Sequence, residues 1–188
     1  MGRWEPNARG RLEQAALDLF GERGFEQTTT AQIAERAGLT ERTFFRHYSD
    51  KREVLFGGSQ LLEKTFVDTL AATPETATPI DAMASTLATV AGFFVERHEF
   101  ARQRQTIILA SAELRERELI KLASLSAALA ATLRLRGVKD PAASLTAEAG
   151  IAVFKIGFER WVADSGEHSL ADHLRESLDE LKAVAAGE

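Results

Sequence analysis

The chain has 188 residues, 45% of them hydrophobic and 27% charged, with a formal net charge of −5 and no cysteine. That length allows one domain or two small ones with a real core, and the missing cysteine excludes a disulfide framework and a thiolate metal site. No run of about 18 apolar residues offers a membrane span. Met1-Gly2-Arg3-Trp4-Glu5-Pro6 lacks the apolar stretch of a signal peptide. A cytoplasmic protein with no membrane partner is expected. The charge is unevenly spread: residues 1–56 hold nine Lys/Arg and nine Asp/Glu, so the acidic excess lies in the remainder. An acidic body repels phosphate, and any nucleic-acid contact must rest on local cations. Arg42, Arg46, Lys51 and Arg52, with Arg3, Arg9 and Arg11 near the N-terminus, are such cations.

No strand-like alternation occurs, and Ala, Leu, Glu and Arg dominate, so the class is all-α with about nine helices in total. The first helix is expected from about Asn7 to Arg23, with Leu12, Ala15, Ala16, Leu19 and Phe20 at helical spacing. Gly24 supplies a left-handed stop, over which Phe25 can pack. The second helix starts at Thr29, where Thr29-x-x-Gln32 is a capping box. Ile33, Ala34 and Ala37 form its buried side and Gly38 ends it. The third helix takes Thr40 as N-cap, and Leu39 with Phe44 forms a hydrophobic staple. Phe44 and Tyr48, four apart, point inward. A fourth helix is expected from Asp50, with Asp50-x-x-Glu53 as a further capping box, running through Val54, Leu55, Leu61, Leu62 and Phe66. Its Gly57-Gly58 pair reads either as a flexible joint or as a close helix packing.

The Pro/Thr-rich stretch Thr73-Pro74-Glu75-Thr76-Ala77-Thr78-Pro79 breaks the pattern. Beyond it the spacing predicts helices at about 80–97, 100–110, 112–135, 141–164 and 169–186. Asp140-Pro141 reads as an N-cap followed by proline at the first helical position. Ser169-x-x-Asp172 caps the last helix.

Two short helices joined by a tight turn, residues 30–49, make a helix-turn-helix, a motif that sets its second helix in a DNA major groove. With Phe44 and Tyr48 inward, the outer side carries Glu41, Arg42 and Arg46, with Thr43, Phe45 and His47 toward the edge. Arginine bonds guanine in bidentate fashion, and threonine or aromatic carbon meets a thymine methyl. Thr40 and the free amides behind it suit a phosphate oxygen, and Lys51 stands where it can reach a second one. The alternative is a solvated charged face; the agreement of cap and stop signals around it favours DNA.

Thr28-Thr29, Ile33-Ala34, Ala37-Gly38, Thr43-Phe44, Phe45-Arg46, Lys51 and Leu55, preceded by Leu19-Phe20 and Gly24-Phe25, resemble the DNA-binding region of TetR-family transcriptional regulators. The resemblance covers about the first third of the chain. It implies a helix-turn-helix domain over 8–68 and a helical ligand-binding and dimerisation domain over 69–188. It also implies a homodimeric repressor on a palindromic double-stranded operator, released by an as yet unidentified small-molecule effector. The family's contact positions fall on Thr29 and Thr40 for phosphate, Glu41, Arg42, Thr43 and Arg46 for bases, and Lys51 for phosphate. The family often has Tyr at the place of Phe45 and Phe at that of Tyr48. Phe45 therefore brings only apolar contact, and His47 is a substitute phosphate ligand.

Outside the motif the residues must speak for themselves. The stretch 141–164 is too apolar for one exposed stripe. Gly150 and Gly157, seven apart, each cost about 1 kcal/mol relative to alanine in a helix, which points to a close crossing. With Phe158 and the Leu170, Leu174 and Leu178 row, they fit the four-helix dimer interface that the resemblance implies; the alternative is intramolecular core. Phe93, Phe94, Phe100, Ile108 and Phe154 either line the apolar effector cavity that the resemblance implies or simply fill the core.

No catalytic motif, cofactor signature or metal motif of recognised spacing is present. His168 and His173, near Glu167 and Asp172, read as surface polar residues at a helix start, so no enzyme activity is expected. A DNA-binding regulator controlled by a protein partner, or one acting as an activator, is the competing reading.

Overall fold

The computed structural model describes residues 7–187, so Arg3 lies outside the described residues. These form nine α-helices and no strand: α1 (Ala8–Arg23), α2 (Thr30–Arg36), α3 (Glu41–His47), α4 (Ser59–Ala72), α5 (Pro79–Ala91), α6 (His98–Ala110), α7 (Ala112–Leu135), α8 (Ala142–Ala163) and α9 (Leu170–Ala186). The all-α expectation holds.

Local signals set most boundaries. Thr29 accepts from the Gln32 amide while the Gln32 side chain accepts from the Thr29 amide, closing a capping box, and Thr40 accepts from the Thr43 amide. Ser169 and Asp172 form a second reciprocal box at α9. Three expectations are corrected. The fourth helix does not run unbroken from Asp50. A 3-10 turn, Glu53–Phe56, comes first, and α4 begins only at Ser59, after the glycine pair. Asp50 Oδ1 does accept from the Arg52 and Glu53 amides, so its capping role is met by that short turn. The helix expected at 80–97 ends at Ala91 and passes into a 3-10 turn, Gly92–Phe94. At α8, Pro141 itself holds the cap position; the Asp140 carboxylate binds Arg134 and Ser144 instead.

By its contacts the chain divides into two compact units. One is the chain up to Ser59 with Gln103–Glu118; the other is Gln60–Arg102 with Leu119 onward. This differs from a division at 68/69, because the last turns of α6 and the first of α7 pack with the N-terminal helices. Ile107, Ile108 and Leu114 are buried in the same core as Leu12, Phe20, Ile33, Phe44 and Val54. Two ion pairs fasten that segment to the N-terminal part of the first unit, Arg52 with Glu113 and Arg117 with Glu53, and a third, Arg104 with Glu118, joins its two ends. Arg104 also donates to the Leu55 carbonyl at 2.8 Å and lies over the Phe56 ring. Burial lowers the Arg104 pKa, opposed by Glu118, so this guanidinium is retained by its partners.

The second unit is built on α5, α8 and α9, with Phe66, Met83, Leu87, Leu129, Phe154, Trp161 and Leu174 in its core. The two α8 glycines find their explanation here. A Cβ on Gly150 would lie 2.6 Å from Met83 Sδ, and one on Gly157 would lie 2.7 Å from Leu174 Cδ2 and 3.2 Å from the His173 carbonyl oxygen. The close crossing exists, but it is made with α5 and α9 of the same chain.

Gly157→Ala pits two effects against each other. Alanine gains about 1 kcal/mol in helix propensity, whereas overpacking against neighbours that include backbone costs about 1–3 kcal/mol. We expect a lower denaturant midpoint in equilibrium unfolding; an unchanged or raised midpoint would show that the gain in helix propensity offsets the crowding against α9.

Candidate nucleic-acid interface

The outer helix of the motif, α3, is only seven residues long, too short to persist without packing. Phe44 anchors it with no exposed surface, and Leu39 packs against the same core, completing the staple. Tyr48, also buried, donates its hydroxyl to Glu13 Oε1 at 2.7 Å, and Arg9 lies over its ring. Burial and the Glu13 carboxylate push the Tyr48 phenol upward, so it remains a neutral donor. Gly57 closes this knot: its carbonyl accepts from Arg9, and a Cβ there would lie 2.3 Å from Glu13 Oε1. Three side-chain ends, from Glu13, Tyr48 and Arg9, thus crowd Gly57.

Seen from this anchored side, the residues singled out for DNA have distinct surroundings. Arg42 and Arg46 are exposed, and neither has a hydrogen-bond or ion-pair partner among the described residues. By contrast Arg36 is held by Glu22, Arg134 by Asp140 and Arg160 by Glu176. Phe45 is 52% exposed, unusual for a phenylalanine on a short helix, and His47 is exposed beside it. Thr29 and Thr40 sit at the starts of α2 and α3 with their hydroxyls engaged in capping; Thr43 Oγ1 lies 3.0 Å from Thr40 Oγ1. The Glu41 carboxylate accepts from Thr30 and so braces α3 against α2.

Lys51 departs most from expectation. Its ammonium does not extend into solvent. It donates to the carbonyls of Phe25 (2.8 Å) and Thr28 (3.1 Å) and lies 4.1 Å from the Phe25 ring centroid. It therefore clamps the turn between α1 and α2, leaving one N–H for any phosphate. Thr28, which sequence reasoning passed over as a contact, is buried there and donates to the Gly24 and Leu19 carbonyls. Its place in the Thr28-Thr29 pair of the motif, four residues past the glycine stop, was the available hint.

The remaining candidates separate. Gly150, Gly157, Leu170, Leu174 and Leu178, expected at a dimer surface, are all buried within the chain, and Phe158 is half-buried against the same core. Their apolar character is spent on intramolecular packing. The exposed large apolar residues of these helices are Leu145 and Ile156 on α8 and Val184 on α9. Among the five residues expected at an effector cavity, Phe94 and Phe154 do meet, with ring centroids 6.1 Å apart, and both also pack on Phe158. Phe93 touches Phe94 and carries Arg97 over its ring, and Phe100 is 38% exposed. Ile108 is not with them; it is buried in the core of the first unit. His168 and His173 bond neither Glu167 nor Asp172 but Asp164.

Lys51→Ala separates the clamp from a pure phosphate contact. Losing two charge-assisted bonds in a half-buried site should cost the DNA-free protein about 1–3 kcal/mol, read as a lower melting temperature. Arg46→Ala should leave melting unchanged. An unaltered melting temperature for the lysine variant would remove the clamp.

Residues 13–56 match the family model for bacterial regulatory proteins of the tetR family, and residues 77–186 match that of the MftR C-terminal domain. The HTH-type transcriptional regulator TcmR of Streptomyces glaucescens is 37% identical over 84 residues, which cover 45% of this chain and 37% of TcmR. The match thus spans little more than a third of that relative's length. Among solved structures, Thermus thermophilus FadR, a TetR-family repressor in complex with lauroyl-CoA, is 27% identical over 92% of each chain with a TM-score of 0.55. Bacillus subtilis FadR in complex with stearoyl-CoA shares the fold at 17% identity, with a TM-score of 0.63 over 92% of this chain and 96% of that one. With a helix-turn-helix of this geometry and both family models matched, the chain belongs to the TetR family of bacterial transcriptional regulators.

Proposed function

We propose that the protein is a homodimeric repressor that reads a palindromic operator through α3 and leaves it when a small molecule occupies the second unit. The observation that carries DNA reading is the pair of exposed arginines, Arg42 and Arg46, unpartnered among the described residues, on a helix whose opposite side is locked into the core. A free guanidinium on a fixed helix is poised for bidentate bonding to guanine. Thr43 and Phe45 offer carbon to thymine methyls, while Glu41 orders the turn behind them. Thr29, Thr40, His47 and the remaining N–H of Lys51 are the backbone contacts, which set register rather than sequence.

The proposed dimer contact is the outer side of α8 and α9. Leu145, Ala152 and Ile156 lie at helical spacing and are exposed, as is Val184. These replace the glycine and leucine set, which the chain uses for itself. A two-fold dimer presents two copies of α3 and so asks for a palindrome.

The effector reading is supported by the Thermus relative, bound to lauroyl-CoA at 27% identity. The second unit offers matching chemistry in the aromatic group Phe66, Phe94, Phe154, Phe158 and Trp161. An apolar chain would enter by parting these rings, so an acyl-chain ligand is the class to try first.

Selection of binding sites from random DNA should return an imperfect palindrome, and Arg46→Ala should weaken binding to it by roughly 1–3 kcal/mol. Sites without two-fold character, or equal affinity of the variant, would overturn the reading. Ile156→Glu should give a monomer by light scattering at unchanged helix content; a persistent dimer moves the interface elsewhere. Lauroyl-CoA should raise the melting temperature and release the selected operator. Absence of both effects would remove the acyl effector and leave DNA reading intact.

A further inference from the structure

The turn from α8 to α9 brings together three side chains that span ten residues of sequence. Asp164 occupies the C-cap of α8, and its two carboxylate oxygens have different partners. Oδ1 accepts from the Gly166 amide at 3.0 Å, the Glu167 amide at 3.3 Å and the Ser165 hydroxyl at 3.3 Å. Oδ2 faces two imidazoles, 3.1 Å from His168 Nδ1 and 2.9 Å from His173 Nε2. One donor atom from each of the three residues lies within 4.8 Å of the other two.

This arrangement does more than a hydrogen-bonded turn requires. Two backbone amides already fix the carboxylate through Oδ1, so Oδ2 can change partner without loosening the turn. His173 is 8% exposed, and its Nδ1 is buried with no hydrogen-bond partner, so the ring works through Nε2 alone. The His168 side chain is 57% exposed, which leaves one side of the cluster open to solvent. Burial would raise the Asp164 pKa, but hydrogen bonds from His168, His173 and the turn amides outweigh it and hold the carboxylate well below its usual range. The cluster is thus an anion flanked by two imidazoles on a braced turn.

Two imidazole nitrogens and one carboxylate oxygen are the donor set of a borderline divalent transition metal, three protein ligands with an open fourth position. Hard cations such as Mg2+ and Ca2+ call for mainly oxygen ligands and are not matched. With metal–ligand bonds of about 2.0–2.2 Å, two donors on a tetrahedral ion lie about 3.4 Å apart. The Oδ2-to-nitrogen separations need to open by only a few tenths of an ångström, and the exposed His168 ring has room to swing. We propose that Asp164, His168 and His173 bind a zinc-class divalent cation, which ties the end of α8 to the first turn of α9 and keeps a solvent-facing coordination position.

The test uses the full chain without a histidine tag, stripped with chelator. Titration with Co2+ should give visible d–d absorption saturating at one ion per chain and abolished by Zn2+. Zn2+ should also raise the melting temperature. His168→Ala, chosen because its side chain is exposed, should keep the far-UV circular dichroism of the parent. It should lose Co2+ affinity on the order of tenfold or more, with no Zn2+-induced melting shift. Failure of the parent to develop the absorption or the shift, or their survival in His168→Ala, would overturn the site.

Discussion

Everything the first unit offers to DNA depends on the burial of one ring. Helix α3 has seven residues, and isolated helices of that length do not persist in water. Phe44, with no exposed surface, gives it a fixed seat, and Tyr48 adds a second point of attachment through Glu13. Because the two are four residues apart, they share a face. That fixes the face on which Arg42 and Arg46 must emerge. The caps at Thr29 and Thr40 then settle where the helices start, but it is the core that settles which way α3 faces. The base-reading role proposed for that face requires this rigidity, since a bidentate base contact is geometrically narrow.

The charge distribution follows the same logic. A chain of net charge −5 is poorly suited to approach DNA as a whole. The structure ties up many of its arginines in ion pairs, Arg104 and Arg117 on the α6–α7 segment that completes the first unit among them, while the two on α3 have no partner among the described residues. Lys51 shows how residue type and residue use can part company. Its charge is directed at carbonyls that end α1 and the following turn, so the cation expected at the backbone also supports the fold.

In the second unit the economy is one of small residues. Gly150 and Gly157 let Met83 and Leu174 approach α8 so closely that no β-carbon fits between them. A glycine pair seven apart announces a close crossing, but not with which helix. The leucine row of α9 is equally mute on that point, because own-chain and partner-chain packing use identical side chains. In the aromatic group around Phe154 the rings stand in mutual contact.

What the sequence determined by itself was whatever acts within about one helical turn. The capping boxes at Thr29 and Ser169, the Leu39–Phe44 staple, and the inward pair Phe44 and Tyr48 were all legible. Each is a relation between residues three to five apart, whose geometry a helix imposes. Tertiary structure alone decided what lies across a gap in sequence. It joined Ile108 and Leu114 to the helix-turn-helix core, set Lys51 on the Phe25 carbonyl, and spent the α8 glycines inside the chain. It also turned two histidines toward Asp164 rather than toward their nearest acidic neighbours. Partners of that kind are chosen by how elements pack, and packing depends on the sum of many weak contacts that no local spacing records.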